Sequence, residues 1–167
     1  MSISINRSLR HMAWANQAVF HEVSKLPVAA LDVYLSNPKW TVKEILHHIC
    51  DGATWYLHRL EIEHWQEIPE VNSASDVVKL GELIAEFDQK LISASNQDDR
   101  ELTYKFEDKD KTVVRWFSTI LTQAVHHATE HRAQLVDALD FHSYRTINLD
   151  NLDLWGFDMF ERGELPS

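Results

Sequence analysis

The strongest chemical signal in this sequence is a pair of histidines four residues apart, His127 and His131, within Ala124-Val125-His126-His127-Ala128-Thr129-Glu130-His131-Arg132-Ala133-Gln134-Leu135. On a helix, positions i and i+4 share a face with Cβ atoms about 5–6 Å apart, so two imidazoles can converge on one metal ion. Helical phase separates this pair from its neighbour. At about 100° per residue from Val113, the apolar positions Phe117, Ile120, Leu121, Ala124, Leu135 and Leu139 spread over about −20° to 80°. His131 falls at about 0°, His127 at about −40° and His126 at about −140°. His127 and His131 therefore face the interior and His126 faces solvent. Two inward imidazoles must find partners for four ring nitrogens, and a metal ion takes one from each.

A third ligand has to come from another helix, and His47-His48 is the obvious source. With Ile45 at 0° and the apolar arc centred near 60°, His48 lies at about −60° and His47 at about −160°. The phase leans toward His48, at the fringe of the core, on a stripe shared with Gly52 and Trp55. Gly52 leaves space beside it. His11, His21, His58, His64 and His142 show no ligand-like grouping and read as surface or boundary residues.

His127-Ala-Thr-Glu130-His131 also matches the inverted zinc-peptidase pattern. That chemistry needs a further carboxylate ligand well downstream and a larger scaffold. Glu130 sits outward of His127 and reads as a solvated charge. Arg132, at the margin of the apolar face, calls for a carboxylate partner. Asn16 lies on the apolar face of its helix and reads as a core amide satisfied by backbone.

The elements that must position these groups are four long helices. The first covers about residues 5–25, with Ile5, Leu9, Met12, Val19, Phe20 and Val23 on one face and Pro27 beyond its end. The second opens on Thr41, with Glu44 completing a capping box and Trp40 and Ile45 placed as a hydrophobic staple. It carries Ile45, Leu46, Ile49, Ala53, Tyr56, Leu57 and Leu60 inward. Ser73 or Ser75 caps the third, which buries Val77, Leu80, Leu83, Ile84, Phe87 and Leu91. Leu102, Tyr104 and Phe106 alternate with polar residues, the period of a strand. With a polar turn at 108–111 this predicts a small hairpin. The fourth helix covers about 112–139, and a short helix follows near 152–160.

Composition sets the outer bounds. The chain has 167 residues, 44% hydrophobic and 25% charged, with only four glycines and four prolines. That suits one mainly helical globular domain over residues 1–167. Scattered glycines rule out a Gly-rich phosphate loop. The single Cys50 rules out an intrachain disulfide and a Cys-based zinc cluster. A net charge of −10 makes nucleic acid and anionic membrane surfaces poor partners. No apolar run reaches the roughly 18 residues of a membrane span. The N-terminus lacks an apolar signal region, and a cytoplasmic location is expected.

The sequence resembles the DinB-like (DinB/YfiT-like) family of metal-binding proteins in three places. Trp14-Ala15-Asn16 looks like the family's W-x-N. The stretch from Trp40 to Ile49 is similar to a segment whose ligand histidine follows a leucine by two residues, which assigns His48. His127-x-x-x-His131-Arg132-Ala133-Gln134 is close to H-x-x-x-H-R-G-Q, with Ala133 in place of Gly. The resemblance, over about residues 5–160, implies an all-α, up-down-down-up four-helix bundle, here with a short β-hairpin before the last long helix. It implies a divalent metal, zinc or nickel, held by His48, His127 and His131, and frequent homodimers. Characterised relatives include transferases and isomerases that use low-molecular-weight thiols, and metal-dependent hydrolases. The functional expectation is thus a metal-dependent transferase or hydrolase with a small-molecule substrate. A non-catalytic metal-dependent binding or stress protein is the alternative, and metal-free core histidines are a third reading.

Overall fold

The computed structural model of the protein describes residues 4–106 and 111–164. The fold is mostly helical. Five α-helices are present among the described residues: α1 (Asn6–Ser24), α2 (Val42–Arg59), α3 (Ala74–Ala94), α4 (Phe117–Phe141) and α5 (Leu154–Arg162). A two-stranded antiparallel sheet, β1 (Glu101–Phe106) and β2 (Lys111–Trp116), precedes α4. Two 3₁₀ turns, Val28–Asp32 and Leu149–Leu152, lie in the connections.

Local chemistry sets several boundaries. The Thr41 side chain accepts from the Glu44 N–H at the start of α2, satisfying one of the free donors of the first turn. Ser73, of the two serines considered, does the same for α3 by accepting from the Asp76 N–H. Asp153 caps α5 at the Gly156 N–H. Gly163, at φ 69°, closes α5 in the left-handed conformation that glycine adopts without steric cost.

The start of α4 corrects the sequence expectation. Thr112 to Trp116 is not helix. It is most of β2, paired with β1 in the register Leu102↔Arg115 and Tyr104↔Val113. The β-branched run Thr112-Val113-Val114 favours a strand. Val113 is buried, as the helical reading required, but from a strand. Lys111, expected in the turn, is the first residue of β2, and positions 108–110 of that turn lie outside the described residues. The last helix runs 154–162 rather than 152–160.

The core is one continuous cluster drawn from all four long helices, with Leu9, Phe20, Ile49, Leu57, Phe87, Phe117, Leu135 and Leu139 among its most buried members. Each such side chain contributes about 1.5–3 kcal/mol of burial free energy. Helix α2 packs against α3 and α4, and α1 against α3 and α4. The pairing of α2 with α4 sets His48 opposite His127 and His131. Among the described residues no helix is long and apolar enough to cross a membrane.

Candidate metal centre

Three imidazoles meet where α2 lies on α4. His48, His127 and His131 each offer a ring nitrogen, and these atoms all lie within 4.8 Å of one another. His48 Nε2 and His127 Nε2 are 3.1 Å apart. Ring centroids are separated by 4.9 Å for His48–His127, 4.6 Å for His48–His131 and 4.3 Å for His127–His131. His131 is 9% exposed, and His48 and His127 are half-buried.

This donor set fits a divalent ion. Metal–imidazole bonds of about 2.0–2.1 Å at a tetrahedral angle put ligand nitrogens about 3.3 Å apart, close to the His48–His127 spacing. Metal binding also requires neutral imidazoles, and the site favours them. Burial, followed by the neighbouring His131 and His48, lowers the His127 pKa to about 4. Burial is also the main cause of the lowered His48 pKa, with His131 next. No carboxylate joins the three histidines in this group among the described residues. Three such ligands would leave further coordination positions, and no carboxylate of the described residues belongs to the group.

The surroundings hold each ring. The Trp40 indole lies edge-on to His48 and His131, at 5.1 and 5.5 Å between centroids. Trp40 Nε1 donates to Gln134 Oε1 at 2.9 Å, and His131 Nδ1 lies 2.9 Å from the same oxygen. The Tyr56 ring packs edge-on to His127 at 5.6 Å. Gly52 lies under His127: a Cβ there would overlap Cε1 and come within 3.0 Å of Nδ1.

Behind the site runs a buried polar chain. Arg132 Nη1 donates to Asn16 Oδ1 at 2.6 Å, and Asn16 Nδ2 donates to Asp88 Oδ2 at 2.9 Å. Arg132 Nη2 also donates to Thr129 Oγ1. Arg132, Asn16 and Asp88 are 3%, 1% and 1% exposed. Burial raises the Asp88 pKa to about 7, against the downward pull of the Asn16 hydrogen bond and the Arg132 charge. Burial likewise lowers Arg132 to about 10. Both shifts have the same physical origin, the cost of desolvating a charge.

Most of the sequence-derived placements agree with this geometry. His126 is exposed, and Glu130 is exposed and outside the trio, so the peptidase reading has no support here. His47 turns away and hydrogen-bonds the Ile68 carbonyl at 3.0 Å. His142 reaches the Tyr34 carbonyl. Other placements need correction. His11, read as surface or boundary, is buried and hydrogen-bonds the Leu152 carbonyl at 2.8 Å. Arg132 meets its carboxylate through an intervening amide, and that amide, Asn16, is satisfied by side chains rather than backbone. Sequence reasoning did not single out Gln134, Trp40 or Asp88 as site residues. Gln134 had a signal available: it lies three residues after His131, within the quoted motif.

The family model described as the DinB family matches residues 1–154. The chain belongs to the DinB family. No curated protein and no solved structure matches it significantly. For this DinB protein, then, the three-histidine group that could hold a metal ion is the feature from which function has to be argued.

Proposed function

We propose that this DinB-family protein is a metal-dependent transferase or hydrolase whose ligands are His48, His127 and His131. The observation that carries this reading is the convergence of three half-buried or buried imidazoles with no carboxylate among them. A bound divalent ion, zinc or nickel, supplies Lewis acidity that lowers the pKa of a coordinated thiol or water. Three neutral imidazoles would leave such an ion's charge uncompensated, so an anionic partner such as a thiolate would be favoured there.

The chain's own residues have defined parts. His48, His127 and His131 present neutral nitrogens. Trp40 packs against His48 and His131, and Tyr56 against His127, giving the trio an aromatic wall. The wider reading is an up-down-down-up bundle of α1 to α4 in a homodimer, acting on a small molecule, with low-molecular-weight thiols the first substrate class to screen.

The test is elemental analysis of protein purified without a histidine tag or nickel column. One ion per chain is expected, lost in His127→Ala and His131→Ala and kept in His126→Ala. Cobalt-substituted protein should then develop a sulfur-to-cobalt charge-transfer band on adding a small thiol. Equal metal content in all four proteins would refute the ligand assignment. A cobalt spectrum indifferent to thiols, halides and azide would refute the open site and favour a structural ion.

A further inference from the structure

The Gln134 amide occupies an unusual position, with two ring nitrogens, Trp40 Nε1 and His131 Nδ1, converging on one side-chain oxygen. An amide can be turned end for end, and the hydrogen-bond network decides which atom faces which partner. Here Trp40 decides it. The indole Nε1 can only donate, and it lies 2.9 Å from the Gln134 side-chain atom it shares with His131. That atom must be the oxygen, because the NH₂ end would set donor against donor. An amide oxygen has two lone pairs and only accepts. His131 Nδ1, 2.9 Å from the same oxygen, must therefore carry a hydrogen.

We infer that Gln134, held by Trp40, is a positioning residue that fixes His131 as its Nδ1–H tautomer and turns the lone pair of Nε2 toward His48 and His127. The histidine tautomer in this chain is thus set by a tryptophan from the other side of the α2–α4 contact. Nδ1–H is the form a metal ligand needs if it binds through Nε2, and partners of this kind raise ligand basicity and hold the ring plane. Trp40 has a double grip. Its N–H orients the amide, while its ring packs against both His48 and His131. It stands immediately before the Thr41 cap of α2, so the start of that helix and the ligand on α4 are held by the same side chain.

The tautomer part of this inference stands without a metal; its effect on affinity rests on the metal-binding reading above. Long-range ¹H–¹⁵N correlation spectra of histidine-labelled, metal-free protein read the tautomer directly and need no variant. Wild type should show His131 protonated at Nδ1. Gln134→Leu should lose that preference and weaken zinc binding by about 10–100-fold, measured by competition with a chelating dye. Gln134→Glu, which still accepts from both donors, should restore the Nδ1–H form and keep zinc affinity within a few-fold of wild type or tighter. A purely packing role would predict the opposite order, since Leu preserves apolar contact and Glu does not. Nδ1 unprotonated in wild type, or an unchanged tautomer and affinity in Gln134→Leu, would overturn the inference. Wild type that binds no zinc while His131 remains Nδ1–H would refute the metal reading and uphold the tautomer assignment.

Discussion

Gly52 offers the sharpest single-residue test of the site. It lies within α2, where replacing Gly with Ala ordinarily stabilises a helix by about 0.5–1 kcal/mol. Yet its missing Cβ is the space that the His127 imidazole fills. The colliding atoms belong to the end of a side chain, so in Gly52→Ala the ring can swing away while the backbone stays. The expected result separates two quantities that usually fall together. Thermal stability of the chelated variant should equal or exceed wild type, whereas zinc affinity should drop by at least tenfold. Unchanged affinity would show that His127 binds from another rotamer or does not bind at all. The residue-scale logic was partly legible in sequence. Phase along one helix distinguishes His127 and His131 from His126, because it asks only which way a side chain points. It favours His48 over His47 for the same reason. It cannot say which ring fills the gap at Gly52. In sequence the space reads as lying beside His48 on the same helix, whereas the ring that occupies it, His127, comes from α4. Contacts between helices depend on their offset and rotation, which a single strip of sequence does not encode.

Among the elements, the chain Arg132–Asn16–Asp88 ties α4 to α1 and α1 to α3 through three side chains with almost no exposure. Asn16 is its centre, accepting from the guanidinium and donating to the carboxyl. Asn16→Leu keeps the branching of the side chain, with some added bulk, but leaves Arg132 and Asp88 without their bridge. Removing a partner from a buried charge typically costs about 3–5 kcal/mol, and a loss of that size is expected in urea unfolding. A loss below about 1 kcal/mol would mean that Arg132 and Asp88 re-pair directly, and that the amide is a spacer rather than a link. The polar chain is only half legible in the sequence: Arg132 calls for a carboxylate, but Asp88 sits among the apolar positions of α3 and gives no periodic signal. Element boundaries show a similar limit. The strong caps at Thr41 and Ser73 mark α2 and α3 well. Residues 112–116 were ambiguous because Val113 suits the buried side of either a helix or a strand, and β1, at 101–106, had already supplied a partner strand.

For the whole molecule, two groups whose pKa values are shifted by burial make opposite contributions to stability with pH. The Asp88 carboxyl has a pKa of about 7 when folded, against about 3.9 for an unfolded aspartate. Between these values the folded chain holds a proton that the unfolded chain releases. Asp88 therefore contributes fully below about pH 4, and that contribution disappears as pH rises through about 7. His127 behaves the other way. Its folded pKa of about 4 lies below the unfolded value of about 6.5, so its contribution is present above pH 6.5 and disappears as pH falls through 4. His48 and His11, both lowered chiefly by burial, reinforce His127. The metal-free protein should thus show a muted slope between pH 4 and 7, the sum of opposing terms. Asp88→Asn removes one term while preserving the Asn16 hydrogen bond to the side-chain oxygen. The stability difference, wild type minus variant, should decline steadily from pH 4 to pH 7, by on the order of a few kcal/mol at about 1.4 kcal/mol per pKa unit. Urea titrations of both proteins in chelator, at half-unit pH steps, measure it. The variant itself should become markedly less stable as pH falls from 6.5, because the histidines then act without an opposing group. Parallel profiles for the two proteins would mean that Asp88 is ionised throughout that range, held so by Arg132, and that the buried chain is a true ion pair rather than a proton-carrying one.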